Sequence, residues 1–259
     1  MRVHRRIPFG FVMATFMLCL STAQAGIISD GLIGYWAADG NVTDSSPTGN
    51  NGTFLGTYAA GHSGQAFDLF SATADVPDNA AYNFGTGDFS VGFWFNYNGL
   101  PQGIPAFVSQ DNGGGPQDKW IVFYNYASSA FSLHINGTVN ANYASTTQSF
   151  SSSDWQQLTL TKSGTAYEFY RNGISIGTTI GNANLPNPTA SLIFGGAEGN
   201  FRFTGLLDDV VLYNRALTSS EVSVLADTTT VPEPSGLWLL VGGALLALWR
   251  HRKVRALRA

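Results

Sequence analysis

Cysteine is nearly absent from this 259-residue chain: the single one, Cys19, lies in an apolar stretch near the N-terminus. No internal disulfide can form, so a stable domain has to rely on a buried core. Histidine is scarce too, with only His62 and His134 away from the termini. Two isolated imidazoles supply neither the ligand spacing of a zinc site nor the base of a serine triad, and His134 in an alternating strand reads as structural. Glutamate is limited to Glu168, Glu198, Glu221 and Glu233, and none shares a strand with another acid at two-residue spacing. The paired carboxylates that a retaining glycosidase holds about 5–5.5 Å apart are therefore not expected. Basic residues are few and badly distributed. Of 13 Lys and Arg, three sit in the first six residues and five in the last ten, which leaves five against all 17 Asp and Glu between residues 26 and 249. That part is near −12, and nucleic acid, whose binding depends on cations meeting phosphates, is excluded as a partner.

What is present at the N-terminus is an export signal. Arg2, Arg5 and Arg6 precede an apolar run from Ile7 to Leu20, and Ala23-Gln24-Ala25 places small residues where a leader peptidase needs them, with cleavage after Ala25. Met17 and Leu18 before Cys19 lack the small residues of a lipoprotein signal, and the surroundings of Arg5-Arg6 fit twin-arginine export poorly. At the other end, Val231-Pro232-Glu233-Pro234 is followed by an apolar segment, Ser235 to Trp249, and by Arg250, Arg252, Lys253, Arg255 and Arg258. The prolines lack amide donors and bar a helix from extending backward through them. Fifteen residues at about 1.5 Å each fall short of the roughly 30 Å hydrocarbon core, so the helix spans only with local thinning or snorkelling flanks. The cationic tail holds that end in the cytoplasm and leaves the rest outside, as a type I precursor.

The segment VPEPSGLWLLVGGALLALWRHRK, within residues 231 to 259, resembles the PEP-CTERM sorting signal. In that family a Pro-Glu-Pro motif, a short membrane helix and an arginine-rich tail are read by an exosortase, a membrane cysteine protease. The resemblance implies a handle removed near Pro232 to Pro234, in Gram-negative bacteria that make exopolysaccharide, with the cell surface or extracellular matrix as destination.

About 200 residues between the signals suffice for one core. Their pattern is β throughout. Phe89, Val91, Phe93, Phe95 and Tyr97 alternate with Ser90, Gly92, Trp94 and Asn96, and Leu158 to Thr161 and Leu192 to Phe194 repeat the theme. Asn136-Gly137 and Asn172-Gly173, each flanked by strand-like runs, predict two hairpins. The one helical signal is Thr218 to Leu225, where Thr218 and Glu221 form a capping-box pair. Many short strands with Gly-rich turns predict an all-β, two-sheet antiparallel jelly-roll sandwich.

The order of these pieces is similar to the laminin G-like domains of the concanavalin A-like lectin and glucanase fold. The matching residues run from Leu32-Ile33-Gly34-Tyr35-Trp36 through Asp44-Ser45-Ser46, Gly64-Gln65-Ala66-Phe67-Asp68 and Trp94 to Trp155, Tyr170-Arg171-Asn172-Gly173, Gly205 to Val210 and Tyr213 to Leu217. The resemblance covers residues 31 to 227 and implies carbohydrate or protein ligands, with binding commoner than catalysis. Asp39, Asp44, Asp208 and Asp209 are candidate oxygen ligands for a structural calcium, and the resemblance, which implies such an ion shared by the first and last strands, supports Asp39 and Asp208; the alternatives are turn formation for Asp39 and Asp44 and a water-facing side chain for Asp208 or Asp209. Trp36 and Trp94 stand where the family packs aromatics. For stacking on sugar rings the candidates are Trp120, Tyr124 and Tyr126, after the loop Asp111 to Pro116, with packing in the core the equal alternative for each. The expected organisation is a signal peptide over 1–25, a sandwich over 26–227, and a linker with the sorting signal over 228–259. The expected role is a noncatalytic lectin-like surface or matrix protein that binds polysaccharide; the alternatives are an adhesion module binding protein and, least favoured, a glycosidase.

Overall fold

The computed structural model describes residues 27–97, 104–149 and 154–227. The leader with Ala23 and Ala25, the Val231 to Pro234 motif and the apolar segment after it lie outside the described residues. Fifteen strands are described: β1 (Leu32–Trp36), β2 (Thr53–Phe54), β3 (Thr57–Ala60), β4 (Gln65–Asp68), β5 (Ala74–Val76), β6 (Phe89–Tyr97), β7 (Ala106–Asp111), β8 (Lys119–Asn125), β9 (Ala130–Asn136), β10 (Ala141–Ala144), β11 (Gln156–Ser163), β12 (Ala166–Arg171), β13 (Ile174–Ile180), β14 (Leu192–Phe194) and β15 (Gly205–Tyr213). They form two antiparallel sheets. One has the order β13-β12-β11-β6-β15-β4-β3, with β1 also on β15; the other runs β10-β9-β8-β7-β14-β5-β2. Runs of consecutive hairpin strands, β11 to β13 and β7 to β10, are joined to the rest by pairs distant in sequence, β6 with β11 and β15 and β14 with β5 and β7, which is the wiring of a jelly-roll sandwich.

Aromatic rings fill the space between the layers. Phe93 and Phe95 of β6 meet Phe107 of β7, and Phe95 also meets Phe131 of β9, with Phe95 at 5.0 Å from Phe107 and 5.8 Å from Phe131 between ring centroids; Tyr97 packs on Phe203 at 5.9 Å. Trp36 of β1 packs edge-on against Phe194 of β14 at 5.1 Å. The alternation predicted for β6 is thus the inward set of one sheet. The second face of that sheet is partly covered by helix α1 (Ser219–Leu225), whose Val222 joins Tyr35, Tyr170, Val211 and Tyr213 in a smaller apolar cluster. The capping box predicted for α1 is present: Thr218 accepts from the Glu221 N–H, and the Glu221 carboxylate accepts from the Thr218 N–H at 2.8 Å.

The two predicted hairpins differ. Asn172 and Gly173, at φ 50° and 78°, form a two-residue turn between paired Arg171 and Ile174, which is the left-handed geometry that Asn-Gly favours. Asn136-Gly137 does not turn the chain in this way. Asn136 still pairs with Lys119 of β8, and β10 begins only at Ala141, opposite Ile135. Pairing across β8 carries β9 into Asn136, the first residue of the expected turn, so Val139 is in a loop rather than a strand, and its side chain is exposed.

Phe95 is fully buried at the centre of the aromatic layer. Phe95→Ala removes ring contacts to both sheets and is expected to cost about 3–5 kcal/mol. Urea unfolding followed by tryptophan fluorescence measures this as a lower midpoint with the slope unchanged.

Candidate functional site

Strand β8 decides where the predicted sugar-stacking residues go. Its alternation turns Trp120, Val122 and Tyr124 toward the opposite sheet, where Trp120 is 0 % exposed and donates its indole N–H to Gln110 Oε1 at 3.2 Å. Tyr124 is buried and donates to the Gln148 carbonyl at 2.6 Å. Tyr126 is half-buried, packed on the core and edge-on to Tyr124. Trp120 and Tyr124 are therefore core residues, not sugar platforms: the strand period that makes them look like a ligand face is the period that buries them. Trp36 and Trp94 are buried as expected, although Trp94 is on the outward side of its sheet, where the His62 ring stacks on it at 3.5 Å and 8°.

The same alternation sends Lys119, Ile121 and Phe123 outward. Ile121 and Phe123 are roofed by Ala197 and Phe201 of a hairpin turn that exchanges two backbone hydrogen bonds between those two residues. Beside this roof lies a cleft of about 400 Å³. Its floor is Ser109 and Ile193, cross-strand partners on β7 and β14; its walls are the glycine loop at Gly113 and Gly114 and the hairpin residues Gly196 to Gly199.

A buried ionic network fixes both walls. Asp111, at the end of β7, accepts from the Gly113 N–H at 2.8 Å and from the Glu198 N–H at 2.7 Å. Lys119 is 1 % exposed; its Nζ donates to the Gly113 carbonyl at 2.6 Å and to Glu198 Oε1, and stands 3.8 Å from Asp111 Oδ1. One ammonium and one carboxylate thus cross-link two loops that no β ladder joins. A buried ammonium persists only when its hydrogen bonds are made, as they are here. Glu198 is held at φ 48°, a left-handed backbone rare outside glycine, so the network also maintains local strain. The walls are further tied by Ser109 Oγ donating to the Gly196 carbonyl at 2.6 Å and by Asn136 Nδ2 donating to the Gly115 carbonyl at 2.9 Å.

Arg202 completes the cleft. Its backbone is bridged to Ala106, its side chain is exposed, and it has no ion-pair or hydrogen-bond partner among the described residues. The sequence reading pointed at the loop Asp111 to Pro116 but assigned the chemistry to aromatics behind it. Lys119, Glu198 and Arg202 were missed, and the one sequence signal for them was the scarcity of basic residues in this part of the chain.

With this geometry in view, the comparisons agree on the fold. The sequence profile of the concanavalin A-like lectin/glucanases superfamily matches residues 70–223. The chain belongs to that superfamily. The PEP-CTERM protein-sorting motif matches residues 230–253 and marks the protein for exosortase processing and export. No curated protein matches the sequence. Among solved structures, domain 4 of a family 43 extracellular arabinanase from Geobacillus stearothermophilus, in complex with arabinotriose, superposes with TM-score 0.65 at 21% identity, covering 77% of this chain and 100% of that one. The binding domain of Paraclostridial Mosquitocidal Protein 1 gives TM-score 0.60 at 18% identity over 76% of this chain and 52% of that one. A Trypanosoma rangeli sialidase gives 0.54 at 21%, over 76% of this chain but only 32% of the sialidase. The superfamily fold therefore occurs in proteins of both kinds, hydrolases and binding domains, and the chain spans only a part of the longer ones.

Of the four calcium candidates Asp39, Asp44, Asp208 and Asp209, the structure sets Asp44 apart and brings Asp39 and Asp208 to one loop, with Asp209 beside them. Asp44 accepts from the N–H groups of Tyr35 and Ser46, both at 2.9 Å, and of Asn50 at 2.8 Å; it organises its own loop. Asp208 accepts from the N–H groups of His62, Ser63 and Asp209, while Asp39 accepts from that of Gln65, so these two carboxylates staple the loop Gly61 to Gln65. Asp209 sits in a β-bulge at φ 47° and accepts from the Tyr35 hydroxyl at 2.8 Å. Among the described residues no three His, Cys, Asp or Glu side chains converge closely enough to hold a metal ion.

Burial and the adjacent Asp209 push the Asp208 carboxyl up to about 8, against the pull of its N–H donors, and burial raises Asp209 as well. A carboxyl that holds its proton more tightly when folded than when unfolded gives stability that is full below about pH 4 and is lost as pH rises through about 8. In chelator-containing buffer the melting temperature of the native protein, taken relative to that of Asp208→Asn, is expected to fall steadily from pH 5 to pH 9. A difference that stays flat across that range would contradict the buried-carboxyl assignment.

Proposed function

We propose that the chain is an exported, noncatalytic carbohydrate-binding module, delivered by exosortase processing to the cell surface or the extracellular polysaccharide. The cleft beside the Ala197–Phe201 roof is its ligand site. The boundaries that go with this reading are a leader over 1–25 cleaved after Ala25, a sandwich over 26–227, and a sorting tail over 228–259.

The observation that carries it is the prefixed, polar cleft. Ligand sites are few, concave and largely formed in advance, with a small number of placed polar groups. Here the Asp111–Lys119–Glu198 network sets the walls before any ligand arrives, and glycines expose main chain to it. Likeness in fold to an arabinanase domain solved with arabinotriose supports the sugar class without naming the sugar. The noncatalytic part rests on the carboxylates themselves: Asp111 has both oxygens engaged by N–H donors and Glu198 has one on Lys119, so both serve as wall supports.

Gly114 offers a clean block. A Cβ there meets only Glu198 Oε2 at 4.0 Å, and its backbone is not in the left-handed region, so a large side chain projects into open space. Calorimetric titration of the protein, kept in a non-glycosidic detergent, against a panel of neutral and acidic oligosaccharides is expected to show binding that Gly114→Trp abolishes while circular dichroism is unchanged. Absence of binding to every sugar would defeat the reading and leave the protein-binding alternative.

The sorting assignment has its own test. Replacing Pro232, Glu233 and Pro234 by alanine in a host with an exosortase is expected to leave a full-size, membrane-retained precursor on a blot of cell fractions. Unaltered processing would refute it.

A further inference from the structure

We propose that the saccharide taken by this cleft is acidic, a uronic-acid type sugar whose carboxylate is bound by Arg202; this rests on the sugar-binding reading above.

The argument starts from the fate of five cations. Between residues 26 and 249 the only basic residues are Lys119, Lys162, Arg171, Arg202 and Arg215. Lys119 is inside the wall network. Lys162 donates to the carbonyls of Thr86 and Gly87 at 2.8 and 3.0 Å. Arg171 donates to the Ser149 carbonyl at 2.8 Å. Arg215 makes a two-point contact with Glu221, at 2.9 and 2.7 Å, and pairs with Asp30 at 3.1 Å. Arg202 is the one left without a partner among the described residues, and it lines the cleft. In a domain with so many acids, a guanidinium at a cleft that pairs with none of them has its donors available for an incoming anion.

The surroundings favour a carboxylate on a polyhydroxy ring. The two carboxylates at the walls, Asp111 and Glu198, face Lys119, so they do not neutralise Arg202. Guanidinium presents planar, parallel donors that match a carboxylate in two-point geometry. Glu198 Oε2, turned toward Gly114, remains an acceptor for ring hydroxyls. Gly113 and Gly199 have nothing within 4 Å of an added Cβ, so the walls leave room for a ring to approach the main chain. The bridge between Arg202 and Ala106 fixes the base of the side chain relative to β7, which floors the cleft.

The test is calorimetric titration of the full chain, in non-glycosidic detergent, with a panel of oligouronides and the same compounds methyl-esterified at the carboxyl. The acids are expected to bind at least tenfold more tightly than the esters. Arg202→Gln is expected to bring the affinity for the acids down to that for the esters, Arg202→Lys to retain part of the preference, and Gly114→Trp to remove binding of both. Equal affinity for acid and ester, or a preference that survives Arg202→Gln, overturns the proposal. Binding of neutral sugars alone, blocked by Gly114→Trp, overturns it while the sugar-binding reading stands; no binding of any sugar overturns both.

Discussion

The whole architecture depends on the aromatic layer between the two sheets. With no disulfide to restrain the chain, the sheets are held by the hydrophobic effect and close packing alone, and both act on whichever side chains the strand period turns inward. Phe93, Phe95, Phe107, Phe131 and Phe194 form the contact, and its demand for ring area draws in Trp120 and Tyr124 as well. Aromatics that a sugar-binding reading would place on the surface are consumed by the interior.

What remains outside is the other half of each strand. On β7 and β8 that half includes Ser109, Asp111 and Lys119, and these polar side chains are not left to solvent: the Ala197–Phe201 roof and the glycine loop close over them. Burying an ammonium with two carboxylates has a large desolvation cost, and a well-packed apolar substitute is often no less stable. The network makes sense as a device of position. Asp111 and Lys119 fix the relation of two irregular loops, which no sheet ladder could specify, and so give the cleft a defined shape.

The opposite sheet uses acids differently. Asp208 and Asp39 gather N–H groups of the loop Gly61 to Gln65, and that loop in turn lays His62 on Trp94. The bulge at Asp209 allows two consecutive aspartates to sit on one strand near Tyr35. The result is a compact patch in which Asp208 and Asp209, both raised by burial, are held by hydrogen bonds.

Much of the fold was legible in order along the chain. Alternation in β6, the Asn172-Gly173 turn and the Thr218–Glu221 box are local: each depends on residues within a few positions and on backbone geometry that those residues favour. Asn136-Gly137 failed because Asn136 stays in the β8–β9 hairpin ladder, opposite Lys119, rather than starting a turn. The cleft was legible only as an exposed glycine loop, since Asp111, Lys119, Glu198 and Arg202 lie up to 91 positions apart in sequence. The sequence by itself determined the C-terminal sorting signal, a cysteine-free β sandwich and a scarcity of cations. Only the tertiary structure decided which aromatics are interior, which aspartates meet, and which of five cations has no partner among the described residues, because each of those outcomes follows from contacts between segments far apart in the chain, where no local propensity reaches.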